Sequence, residues 1–108
     1  MEATRDYSSV QEKAVASALG GKVVANSGAT AFLKGDVSLP NALVECKTVM
    51  KKQTSISIKE EWLTKLREEA CNMGKDYYAL AVNFGPKEKN YYVIPEWMMQ
   101  ELLDKENR

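Results

Sequence analysis

The chain has 108 residues, 44% apolar and 28% charged, a balance that suits one soluble globular domain able to bury a core. Its 15 basic and 15 acidic side chains cancel, unlike the strong basicity usual in nucleic-acid proteins, and the lack of any histidine excludes histidine triads, histidine general bases and the common zinc sites. No apolar run approaches the roughly 20 residues that cross a bilayer, and the start MEATRDYSSVQEK lacks a signal-peptide apolar region, so a cytoplasmic protein is expected.

Residues 5–19 read as a first helix. Tyr7, Val10, Ala14 and Ala18 make a stripe at helical spacing, widened by Val15 and Leu19, and Gly20-Gly21 stops it. Glu12 lies three residues before Val15, so it borders the apolar face; a lone helical glutamate is otherwise a solvated one. Residues 22–26, KVVAN, make a short strand. Ser27-Gly28-Ala29-Thr30 follows as a turn whose small side chains let a phosphate approach closely, although a plain connecting loop has the same composition.

The stretch 34–48, KGDVSLPNALVECKT, organises the chain. Proline presets φ for a turn, asparagine tolerates the position after it, and alternating runs flank the pair. An antiparallel hairpin centred between Pro40 and Asn41 pairs residues whose numbers sum to 81, which sets Asp36 opposite Glu45. Carboxylates facing across a ladder at roughly 5 Å between Cβ atoms repel unless a cation lies between them. The strand period puts Lys47 on the face of Glu45 and leaves Val44, Cys46 and Thr48 on the other. Two hard acids and an ammonium suit Mg²⁺, with water and a substrate phosphate completing the coordination. The chemistry that follows is phosphodiester hydrolysis, with the lysine orienting water or neutralising developing charge.

Residues 49–55 are polar and basic and leave from the strand that carries Glu45 and Lys47, so Lys51 and Lys52 are candidate phosphate contacts. Lys34, at the head of the hairpin, joins them. Between positions 22 and 59 six lysines (22, 34, 47, 51, 52, 59) face two acids, which are the proposed ligands. Acids gather instead at 60–69 and 96–106, so a neutral chain can still present a basic face to DNA.

Residues 56–58 alternate as a brief extended piece, and Ser57 with Glu60 fits a capping box for a second helix over 58–73, closed by Gly74. Trp62, Leu63, Leu66, Ala70 and Met73 form its apolar face. Lys59 sits in its first turn, against the helix dipole, which points to another partner such as phosphate or the two acids. Residues 77–84, apolar on both faces, read as a buried strand; 85–89 turn and 90–94 return as its hairpin partner. Pro95 starts a terminal helix over 96–105, with Trp97, Met98, Leu102 and Leu103 turned inward. Tyr91, Tyr92 and Trp97 read as core or subunit-interface residues, with base stacking as the alternative. Cys46 and Cys71 lack metal or redox spacing and read as reduced core residues.

The order is αβββαββα, an α/β fold with a single mixed sheet flanked by helices and the acidic patch on the hairpin edge of that sheet. The passage through 42–84 reads as a right-handed parallel crossover. Nucleotide-binding glycine motifs are absent.

Gly35-Asp36, eight further residues and then Glu45-Cys46-Lys47 resemble the PD-(D/E)XK nuclease signature, with Gly35 in place of its proline. With the surrounding elements, residues 7–94 resemble the small Holliday junction resolvases of archaea and phages. The resemblance implies a restriction-endonuclease-like core and a Mg²⁺-dependent DNA endonuclease, with Mn²⁺ able to substitute. It implies Asp36, Glu45 and the Cys46 backbone carbonyl as metal ligands, Glu12 completing the shell, and Lys47 positioning the attacking water. It matches Ser27 to a loop serine and Lys59 to a polar residue of the second helix. It also implies branched DNA as substrate and a C₂ homodimer making paired cuts; a phage origin fits the small size. Two alternatives stand beside this reading: a nicking or repair nuclease on other branched DNA, and a non-catalytic DNA-binding or assembly subunit that keeps the fold. The blandest is a structural domain whose hairpin happens to oppose two acids.

Overall fold

The computed structural model describes residues 2–24 and 35–106, with side chains over 9–24 and 36–105. The elements follow as α1 (Glu2–Leu19), β1 (Lys22–Val23), β2 (Gly35–Leu39), β3 (Ala42–Lys47), α2 (Glu60–Asn72), β4 (Tyr77–Val82), β5 (Tyr91–Val93) and α3 (Glu96–Glu106). The five strands form one sheet in the order β1-β2-β3-β4-β5. β3 and β4 run parallel, joined through α2, and the other neighbours are antiparallel, so the sheet is mixed as expected. Among the described residues no helix is long and apolar enough to cross a membrane.

The expected hairpin register is present. Leu39 pairs with Ala42 around a two-residue turn, and Asp36 pairs with Glu45. Asn41 keeps a negative φ, as in a type I turn. The start of β4 clamps the turn: the Asp76 and Tyr77 amides each donate to the Asn41 carbonyl at 3.0 Å, and the Lys75 ammonium donates to that of Leu39 at 2.6 Å. The site strand is central, however, and not on a hairpin edge. Parallel pairing with β4 places the second neighbour of β3, which the hairpin alone does not reveal.

Each face of the sheet carries one cluster. Val15 of α1 packs on Val37, Val44, Cys46 and Ala81, and Leu66 and Ala70 of α2 pack on Leu43, Leu80 and Val82. Covered on both sides, β3 is buried from Leu43 through Cys46. The buried edge of α1 is Gln11 and Val15; Val10, Ala14, Ala18 and Leu19 are exposed, and the Tyr7 side chain lies outside those described. The expected stripe is therefore displaced by about one position, because a polar residue occupies the most buried site of the preceding turn.

The start of α2 also differs. Lys59 is the extended N-cap residue with no side-chain cap, so the Ser57–Glu60 capping box does not form, and residues 56–58 are irregular. Lys59 thus stands just outside the helix and not in its first turn. On α3, Met98 is buried whereas Trp97, Leu102 and Leu103 are exposed, contrary to the expected inward set. The Trp97 ring instead stacks on Tyr77 at 6.0 Å, and the Tyr77 hydroxyl donates to Glu101. Tyr91 and Tyr92 are likewise exposed on the edge strand.

α2 ends as its sequence dictates. The Gly74 amide donates to the Cys71 carbonyl and the Lys75 amide to that of Ala70, the paired bonds of a Schellman cap. Gly74 has φ of +72° with open space where a Cβ would lie, so an alanine there meets only backbone strain. Gly74→Ala is expected to lower stability by about 1–2 kcal/mol. Urea unfolding checks this as a lower midpoint at unchanged slope.

Candidate functional site

The hairpin register builds the site. Val37 and Val44 face α1, so Asp36 and Glu45, paired one residue further along, face α2. Glu45 is 2% exposed. The Lys47 Nζ lies 3.3 Å from its Oε2 and 4.4 Å from the centroid of the Trp62 ring, which α2 lowers onto the same face. A carboxylate and an aromatic face thus hold the ammonium from two directions. Lys59 sits over the same ring at 5.9 Å. The structure brings Asp36, Glu45 and Lys47 together as expected and adds Trp62 to them.

The remaining candidates divide. Glu12 is half-buried on α1, bordering the packed face beside Val15. Lys51 is exposed; Lys52 pairs with Glu88 at 3.0 Å and lies 6.0 Å over Phe84, on the turn after β4. That pair is solvent-exposed and contributes little to stability. Ser27 and Lys34 lie outside the described residues.

Two carboxylates on one sheet face are hard oxygen donors, a set that fits Mg²⁺ and not a soft metal. Oδ1 of Asp36 is shielded from solvent, like the Glu45 carboxylate. Among the described residues no group of three or more His, Cys, Asp or Glu side chains converges to hold an ion. The described donor set is thus a carboxylate pair with the Cys46 backbone next in the strand, and water with substrate oxygens would fill the other positions.

The Cys46 thiol points to the opposite face, among Val15, Val44 and Ala81. Burial pushes it up from 9.0 to about 12, assisted by the negative charges of Glu12, Asp36 and Glu45. It is therefore neither a thiolate ligand nor a nucleophile at neutral pH. Cys71, expected in the core, is exposed: it follows Ala70 on α2 and so turns away from the sheet.

Sequence reasoning missed a polar cluster at the carboxyl ends of β3 and β4. Gln11 is 3% exposed and its Nε2 lies 3.0 Å from the Lys47 carbonyl, 3.2 Å from that of Ala81 and 3.1 Å from Asn90 Oδ1. Thr48 donates to Asn83 at 2.7 Å, and Asn83 is also buried. The only signal for Gln11 was its spacing of four from Val15, which a search for apolar residues passes over.

No protein-family model, no curated protein and no solved structure matches this chain significantly.

The thiols give a direct check. At pH 8 a disulfide reagent should modify Cys71 quickly and Cys46 only in denaturant; rapid modification of both in the folded protein would contradict the buried placement of Cys46. The sign of the linkage is set by the raised thiol: Cys46 keeps its proton longer when folded. Its contribution to stability is full below pH 9 and is lost as pH rises toward about 12.

Proposed function

We propose that the chain is a Mg²⁺-dependent DNA endonuclease with a PD-(D/E)XK-type core, acting on branched DNA as a Holliday junction resolvase does. The observation that carries this reading is the register Asp36↔Glu45, with the Lys47 ammonium 3.3 Å from Glu45 on the same face. The element order and the parallel β3–β4 pair support it as well.

Asp36 and Glu45 would hold the ion, with the Cys46 carbonyl beside them and Glu12 the remaining candidate. When bound, Mg²⁺ supplies Lewis acidity toward a phosphodiester oxygen. Lys47 orients the attacking water and sets a positive charge where the phosphoryl oxygens gain negative charge. Its ammonium is preorganised by Glu45 and Trp62, so little reorganisation is needed at the moment of reaction. Lys59, outside the helix and over the same ring, supplies a second cation for the DNA backbone, and exposed Lys51 a third. Two symmetric cuts in a four-way junction need two sites, which a C₂ pair of chains provides. The exposed Tyr91, Tyr92, Trp97, Leu102 and Leu103 supply apolar area for such a pair.

Cleavage of matched end-labelled four-way junction, flap and linear duplex in Mg²⁺ tests the reading. Paired symmetric nicks in the junction alone are expected, slowed about 10²–10³-fold by Lys47→Ala. Equal cutting of the flap would broaden the substrate to branched DNA in general. Tight junction binding without cutting in Mg²⁺ or Mn²⁺ would replace the enzyme by a non-catalytic subunit, and neither binding nor cutting would overturn both. Independently, Mg²⁺ should raise the melting temperature of the wild type, and Asp36→Asn should abolish that rise. A rise that survives the substitution places the ion elsewhere.

A further inference from the structure

We propose that Gln11, acting with Asn90, Asn83 and Thr48, is a positioning residue that aims Lys47 from the far side of the sheet. Lys47 is the last residue of β3. Among the described residues the β2–β3 ladder runs as far as Gly35↔Cys46, and on the other side of the strand Lys47 pairs with Val82 of β4. Gln11 secures that end. Its carboxamide Nε2 reaches from α1 to the Lys47 carbonyl at 3.0 Å and to the Ala81 carbonyl on β4 at 3.2 Å. The next residue along, Thr48, is fixed by the 2.7 Å bond from its hydroxyl to Asn83 Oδ1. Asn90 Oδ1 links the two halves, 3.1 Å from Gln11 Nε2 and 3.4 Å from Asn83 Nδ2. The backbone is thus gripped at Lys47 and at Thr48, and the direction of the Lys47 side chain follows from it.

The chemistry at Gln11 argues that more than packing is involved. Backbone carbonyls only accept, so Nε2 must face them and Oε1 must turn away. Oε1 is buried, with no hydrogen-bond partner among the described residues. An unbranched apolar side chain would fill the same space without burying that orphan acceptor. What the carboxamide adds is direction: one group ties α1 to the ends of both parallel strands, at the residue next to Glu12.

The consequence for cleavage rests on the nuclease reading; the effect on Lys47 does not, and the two are separable. The chain has two tryptophans, so Trp97→Phe leaves Trp62 as sole emitter, with the Lys47 ammonium over its ring. In that background Lys47→Ala defines the Trp62 spectrum without the ammonium. Gln11→Met should move the emission toward that reference although it alters the opposite face, and Gly74→Ala, destabilised at a distant helix end, should leave it in place. With junction DNA, Gln11→Met should lower kcat by about ten- to a hundredfold at a KM within about twofold of wild type. If Gln11→Met does not fold, Thr48→Val is read in the same way. An unchanged Trp62 spectrum overturns the proposal, as does a shifted spectrum with kcat unaffected in a wild type that cleaves. A shifted spectrum in a protein that cleaves nothing upholds the positioning of Lys47 and removes the nuclease reading alone.

Discussion

β3 lies between β2 and β4 with a helix over each of its faces, and Glu45 stands in its buried stretch at 2% exposure. A carboxylate taken out of water in this way costs several kcal/mol unless charge is brought to it. Lys47, two residues on and on the same face, is the counter-charge printed into the strand itself, and the Trp62 ring keeps it there. The arrangement depends on a two-residue turn. A slip of one position between Leu39 and Ala42 would carry Glu45 and Lys47 under α1 and turn Val44 and Cys46 toward α2. Neither cluster would survive, which is why β4 clamps the turn through the Asn41 carbonyl and Lys75.

The two faces of the sheet hold different kinds of interaction. Under α2 a leucine-rich cluster gives way, toward the carboxyl end of β3, to Glu45, Lys47 and Trp62. Under α1 a valine-rich cluster gives way at the same end to carboxamides and a hydroxyl. Both polar sets therefore occupy one end of the molecule, on opposite sides of the same strand ends. That end is where open α/β sheets place their chemistry, because the parallel strands stop there and their last carbonyls and amides need partners. Gln11 meets that need from a helix, and the loop after β3 meets it again when the Gln53 amide donates to the Phe84 carbonyl at 2.7 Å.

The opposition of Asp36 and Glu45 was legible because a tight turn converts residue numbers into pairs by arithmetic, and Pro40-Asn41 marks that turn with two residues of known backbone preference. The order of elements was legible from hydrophobic period and from Gly20, Gly74 and Pro95. The readings that failed concern which neighbour covers a side chain. Val10, Ala14 and Ala18 have helical spacing, yet the sheet meets the helix at Gln11 and Val15. Trp97, Leu102 and Leu103 are apolar but exposed, and Cys71 turns outward beside a buried Ala70. Ser57 had the composition of a cap, while the chain remains extended through Lys59.

By itself the sequence determined the local matters: the helices and their glycine stops, the hairpin and its register, and the convergence of Asp36, Glu45 and Lys47 on one face. Each follows from backbone preferences and side-chain periods acting over a few residues. Only the tertiary structure decided that β3 is central, that Trp62 cradles Lys47, and that Gln11 holds the carbonyls of Lys47 and Ala81, residues 36 and 70 positions away. Those contacts depend on how helices settle on a two-sided sheet, where packing shape and the unmet hydrogen bonds of strand ends, and not spacing along the chain, select the partner.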